Sequence, residues 1–348
     1  MTIRPETLLR PMPGGLYCPA GDFWIDPTRA VARAVITHGH ADHARAGHGA
    51  VLATKETLAI MAARLGARFA GASQALAYGE RVGIGGVDVR LVPAGHVLGS
   101  AQAVVEKGGA RVVVSGDYKR RRDPTCAAFE PVACDVFISE ATFGLPVFRH
   151  PPDADEIAKL LLSLSTFPER CHAVGAYSLG KAQRVIALLR EAGYDAPIYL
   201  HGAMRKICAL YEAMGVPLGD LRPADEMLAA PLTRKMLAGA VVVAPPNALN
   251  DAWGRALGDA VTCFASGWMR VRGRTRQQVE LPLILSDHAD WDELTATIAE
   301  LRPGRLWVTH GAEEALIRWS RARGVPAEAL SLAGYDEDET GESGEAPP

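Results

Sequence analysis

The 348-residue chain has six cysteines, Cys18, Cys126, Cys134, Cys171, Cys208 and Cys263, too scattered to form a CxxC pair. That spacing speaks against a thiolate zinc site, and most of the six read as small buried residues. No apolar run approaches the ~18 residues that a membrane helix needs. The opening MTIRPETLLRPMPGG has neither a continuous apolar core nor a small-residue cleavage site, so no secretory signal is expected. A reducing cytoplasm without disulfides is the expected address. Internal repeats are absent, as is low-complexity sequence before the C-terminal tail. With 48% hydrophobic and 22% charged residues, the composition excludes a wholly disordered, collagen-like or disulfide-scaffold protein.

A large excess of charge of either sign is also missing. The net charge is -3, which at first argues against a polyanionic partner. Residues 336–348, however, hold six acidic side chains and no Lys or Arg. Removing them leaves residues 1–335 at +3, a slightly basic body with a tail that reads as disordered. The length exceeds what one core usually organises and predicts two domains, or one large domain with an insertion.

Short β-branched runs at 33–37, 87–93, 110–115 and 135–139 read as buried strands. They end in the polar clusters THGHADH, AGH, GDY and EAT, so several strand ends deliver polar side chains to one rim. Between about 146 and 279 the texture becomes α/β. Helices are predicted at 153–164, 181–191 and 204–214, with strands at 171–176, 196–200, 240–244 and 260–265. Apolar strands at 281–285 and 305–309 then end in SDHADW and THG. The first texture resumes there, so the middle segment reads as inserted into the first domain.

Six of the ten histidines lie at these strand ends: His38, His40, His43, His96, His288 and His310. The strongest signal is THGHADH, residues 37–43, with three imidazoles and the Asp42 carboxylate in six residues. Neutral imidazole and carboxylate are good zinc ligands, and one loop can serve two ions with alternate side chains. A polar turn with incidental histidines would gain no packing and would repel itself on protonation.

The pattern His38-x-His40-x-Asp42-His43 resembles the signature of the metallo-β-lactamase fold. Asp26 in FWIDP, His96 in AGHVLGS and Asp117 in SGDY are similar to its other motifs, in the same order. Glu140 in SEATFG, His288 in SDHADW and His310 in THG resemble the extra motifs of the β-CASP nucleases. Within that group GLYCPAGDFWIDP, AVITHGHADHARAGH, AYSLGKAQR, GWMRVRGR and LSDHADW are most similar to the bacterial ligase-associated DNA exonucleases. The resemblance implies an α/β protein: a four-layer αββα sandwich over 1–145 and 280–335, with an α/β β-CASP insertion at 146–279 and the acidic tail at 336–348.

The resemblance also implies roles. One Zn²⁺ would be held by His38, His40 and His96, a second by Asp42, His43 and His310, and Asp117 would bridge them; Mn²⁺ is the alternative metal. A hydroxide between the ions would attack phosphorus in line. His288 would act as general acid on the leaving oxygen, oriented by Glu140. Asp26 would brace the metal loop from behind. Activity would rest on Asp42, His288 and Glu140. For Glu140 a buried ion pair without a catalytic part is the alternative, and for Asp290 helix capping is favoured over catalysis.

The basic residues are less specific, because charge runs are usually solvated faces. Lys119 to Arg122 follow Asp117 directly, and Arg270, Arg272, Arg274 and Arg276 alternate, as an arginine row along a phosphate backbone would. Trp268 could stack on a base. Ser178 and Lys181 stand at a strand-to-helix turn that could meet a phosphate, with a routine helix start as the alternative. His48, His150, His172 and His201 read as structural. The expected function is a two-zinc DNA exonuclease in repair, working alongside a ligase and a helicase, with no membrane partner. The alternatives are a β-CASP ribonuclease, a small-molecule metallo-hydrolase, or a non-catalytic nucleic-acid clamp.

Overall fold

Alternation of apolar side chains along the early strands builds two sheets that share a core. The computed structural model describes residues 3–228, 235–271 and 279–330. In the first sheet, spatial order follows chain order: Arg10–Met12, Gly15–Cys18, Phe23–Ile25, Arg33–Val35, His48–Ala53 and Ala70–Ala75. The second runs from Arg81–Ile84 through Val87–Pro93, Ala101–Lys107, Ala110–Val114 and Val136–Ala141 to Arg305–Gly311 and Ala327–Ala329. Its last four strands are parallel, which requires a crossover between each pair.

Period-two burial places these sheets in layers. Val87, Val89, Leu91, Val112, Val114 and Ile138 pack with Leu16, Ile25, Val35 and Leu52 of the first sheet. The intervening Val104, Val113, Phe137, Leu306 and Val308 meet Leu294 and Ile298 of the helix Trp291–Leu301 and Leu316 of Glu313–Arg321. Behind the first sheet, Ala34, Ile36 and Val51 pack on Met61 and Leu58 of the helix Lys55–Leu65. Helix, sheet, sheet, helix is the four-layer sandwich the motifs implied.

The chain divides into two compact units, one comprising 3–122, 126–146 and 288–330 of the described residues, the other 123–125 and 147–287. The second unit holds a six-stranded sheet in the order Leu221–Pro223, Ile198–Leu200, Val241–Ala244, His172–Gly175, Val261–Ala265 and Leu281–Leu283. All its pairings are parallel. Helices Asp153–Thr166, Lys181–Glu191 and Gly202–Ala213 accompany it. One boundary is corrected here: Leu281–Leu283 pairs with Val261–Ala265, so the second unit extends to 287 rather than 279. A short apolar run states that it is buried and leaves open in which sheet.

Inside the second unit the guanidinium of Arg184 is buried among three carboxylates. It meets Asp153 at 2.5 Å, Asp287 at 3.2 Å and Asp123 at 3.4 Å, and donates to the Ser286 carbonyl. Lys181 adds a contact to Asp287 at 3.1 Å and to the Leu285 carbonyl at 3.0 Å. Burial alone would lower the Arg184 pKa, but the three carboxylates raise it above its ordinary value.

Candidate metal centre

Five strands of the sandwich unit deliver the histidine and carboxylate set to one rim. The segment after Arg33–Val35 carries His38 to His43, and the turn after Val87–Pro93 carries His96. Asp117 follows Ala110–Val114, Glu140 lies within Val136–Ala141, and His310 within Arg305–Gly311. Each local placement has a cause. Arg64 of Lys55–Leu65 donates to the Gly39 carbonyl at 2.6 Å, fixing the loop between His38 and His40. The Ser100 hydroxyl accepts from the amides of His96 and Val97 at 3.0 and 3.2 Å, closing the AGHVLGS turn. His310 has φ 59 and Asp26 φ 42, left-handed values that cost energy in a non-glycine residue and cluster at functional sites.

Asp117 is the hub. Its Oδ2 lies 3.3 Å from Nε2 of His38, 3.5 Å from Nε2 of His43 and 3.7 Å from Nε2 of His96. Nε2 of His96 is 2.9 Å from Nδ1 of His40, and Nε2 of His43 is 3.3 Å from Asp42. Ligands about 2.05 Å from a tetrahedral ion stand about 3.3 Å apart, so these spacings suit a shared metal. His38, His40, His96 and Asp117 form one group with all donor atoms within 4.8 Å of one another, and His38, Asp42 and His43 form another. Nε2 of His38 is buried without a hydrogen bond, a cost that an ion would remove. The His310 ring stands 5.5 Å from that of His43, outside both tight groups.

Charges within this set act strongly on one another. Burial alone would raise the carboxyls of Asp42 and Asp117, but His43 beside both, with His38, holds them below the usual carboxylate range. Burial would likewise lower His43, yet Asp42, Asp117 and Asp26 hold it well above 6.5. Burial and neighbouring imidazoles push His96 and His310 down, which keeps them neutral and able to ligate.

Behind the ligands, Asp26 accepts from the Thr37 amide at 2.8 Å and the Thr37 hydroxyl at 2.5 Å, and holds Nδ1 of His43 at 2.8 Å. A carboxylate on the far nitrogen fixes the tautomer that presents Nε2. Beside the cluster, Nδ1 of His288 lies 2.9 Å from the Glu140 carboxylate. Glu140 also accepts from the Tyr118 amide at 2.7 Å and the Thr142 hydroxyl at 2.5 Å. The His288 ring is 4.6 Å from that of His96. Thr37 and Thr142 were not singled out in the sequence. Thr142 lies in the turn just past the strand Val136–Ala141, and only its place two residues after Glu140 hinted at the contact.

Several residues are placed differently from their expected roles. Lys119 is fully buried, Arg120 pairs with Glu300 at 2.6 Å, and Arg121 with Asp290 at 2.9 Å, so most of this basic run is engaged within the fold. Ser178 and Lys181 are buried in the second unit. Trp268 is half-buried with its ring edge-on to Phe148, and exposed Arg270 ends the 3₁₀ turn Gly267–Arg270 rather than lying in an extended row. Arg272, Arg274, Arg276 and the acidic tail lie outside the described residues. Asp290 caps Trp291–Leu301 with a reciprocal Glu293 contact. His201 caps Gly202–Ala213, and Nδ1 of His48 accepts from the Val31 amide.

Residues 29–171 match the Metallo-beta-lactamase superfamily. The chain is 31% identical over 328 residues to a protein named "Probable DNA ligase" from Opitutus terrae, a match covering 91% of this chain and 30% of that protein. It is 32% identical over 142 residues to Cleavage and polyadenylation specificity factor subunit 3 of Dictyostelium discoideum, covering 38% and 18%. With Endoribonuclease YSH1 of Gibberella zeae identity is 30% over 148 residues, covering 39% and 18%. The chain thus spans less than a third of each of these three. A protein of unknown function from Enterococcus faecalis V583 superposes with a TM-score of 0.54 at 14% identity, over 82% of this chain and 76% of that one.

Proposed function

The chain carries a metallo-β-lactamase domain, and from that premise we propose that it is a metal-dependent DNA nuclease, an exonuclease serving DNA repair. The observation that carries the reading is the Glu140–His288 pair at 2.9 Å beside a cluster suited to metal. His38, His40 and His96 would hold one ion and Asp42, His43 and His310 a second, with Asp117 shared. Bound Zn²⁺ or Mn²⁺ would supply positive charge against the phosphate and lower the pKa of a water. The chain's own part is proton transfer: Glu140 holds Nδ1 of His288, so Nε2 protonates the departing oxygen. Thr142 and the Tyr118 amide keep Glu140 in place.

DNA is favoured over RNA by the similarity across 91% of this chain to the protein named as a ligase, which also supports a working association with a ligase; a helicase acting in the same repair is proposed with it. A reducing cytoplasm suits the six free cysteines. No helix among the described residues is long and apolar enough to cross a membrane. The second reading, a ribonuclease of the same build, is favoured by the relatives named endoribonuclease. Digestion of end-labelled single- and double-stranded DNA and RNA tests both. Progressive shortening of DNA is expected; equal or faster loss of RNA overturns the DNA preference, and a fully active Asp42→Ala, His288→Ala double variant overturns the mechanism.

A further inference from the structure

Arg121 stands in a basic run whose sequence suggests a phosphate-binding surface, but the structure joins it to the segment after His288. Its backbone amide donates to Oε1 of Glu293 at 2.5 Å, and its guanidinium reaches Asp290 at 2.9 Å and Glu293 at 3.4 Å. All three side chains are largely buried, with exposures of 19%, 5% and 14%. Both carboxylates already serve the first turn of Trp291–Leu301: Asp290 accepts from the Glu293 amide at 3.0 Å, and Glu293 from the Asp290 amide at 3.1 Å.

A cation is electrostatically misplaced at a helix N-terminus, so capping alone does not account for a guanidinium there. Its effect lies in what it connects. The amide of Ala289 donates to the Tyr118 carbonyl at 2.6 Å, and the Tyr118 amide to Glu140 at 2.7 Å. Glu140 holds His288, which precedes Ala289. These links form a closed ring, with Asp117 attached to it through Tyr118. Arg121 fastens the same two segments one step further out.

We propose that Arg121 is a positioning residue, which by bridging the Asp117 segment to the Asp290–Glu293 turn sets where the His288 imidazole stands relative to the metal cluster. The inference rests on the nuclease reading above. It makes Arg121 part of the proton-transfer apparatus without contact to substrate, and it removes that residue from any phosphate-binding surface.

The test uses metal-loaded full-length enzyme and the variants R121M, R121K and E293Q. E293Q keeps a side chain able to complete the capping box but removes its charge. Steady-state rates are measured on an oligonucleotide and on bis(p-nitrophenyl) phosphate, whose leaving group departs without a proton. R121M should lower kcat on DNA by about ten- to a hundredfold, the loss expected when an acid is displaced by roughly 1 Å. KM and zinc content should hold, and the activated diester should be cleaved nearly as fast as by the wild type. R121K and E293Q should fall between. Should R121M fail to fold, R121K and E293Q carry the same comparison. Equal losses on the two substrates, or a loss confined to KM, overturn the proposal. Wild-type enzyme inert on all DNA and RNA overturns the nuclease reading instead, a distinct outcome.

Discussion

Glu140, Thr142 and His288 share one corner of the site, and a single carboxylate serves the other two groups. His288→Ala should lower kcat on DNA by about 10²- to 10⁴-fold, the usual contribution of a general acid, with zinc content unchanged; loss of metal instead would make His288 a ligand. On the other side of the cluster, Asp26→Asn should weaken metal binding by about 10- to 100-fold in chelator competition. Asp26 also helps hold His43 above 6.5 in the metal-free protein. A raised imidazole stabilises the fold fully below its unfolded pKa and loses that contribution as pH rises through the folded value. Thermal melts of metal-free protein should therefore show that loss at lower pH in Asp26→Asn; parallel profiles would contradict it. The ligand types were legible because THGHADH concentrates donors no packing argument explains. Thr37 and Thr142 were not, since a threonine just past a strand end has an ordinary reading and declares its partner only in three dimensions.

At the scale of elements, the strand ends matter more than the strands. Gly116 precedes Asp117 with φ 56, and an added Cβ would lie 2.7 Å from the Thr37 hydroxyl that Asp26 binds. Gly116→Ala should cost roughly 1–3 kcal/mol, read as a lower melting temperature with a parallel loss of bound zinc; an unchanged metal content would detach this turn from the site. Periodicity located the central elements well, because a fully buried β-branched run has few other uses: the run at 87–93 is a strand to the residue, and 181–191 is the helix Lys181–Glu191. It could not assign Leu281–Leu283 to a sheet, since parallel partners are far apart in sequence. Nor could it tell an arginine facing solvent from Arg121, whose acidic partners lie about 170 residues further on.

Across the whole molecule, chain connectivity is the organising fact. Arg184 gathers Asp123, Asp153 and Asp287 from three distant segments of the second unit. Removing a fully buried cation leaves those charges uncompensated, so Arg184→Met should destabilise that unit by about 3–5 kcal/mol in denaturant unfolding followed by a probe within residues 147–287. A change under 1 kcal/mol would show that the carboxylates find other compensation. Sequence texture revealed the insertion but not this knot, because an Arg in an amphipathic helix ordinarily faces water. The same connectivity sets an order in time. The ribosome releases His38 to Glu140 first, Asp123 to Thr125 of the second unit among them, then residues 147–287, and only afterwards His288 and His310. At about 5–20 residues per second the gap is on the order of ten seconds. Under the roles proposed above, the nascent chain would through that interval have most of its metal donors and lack its acid, so metal binding could precede activity.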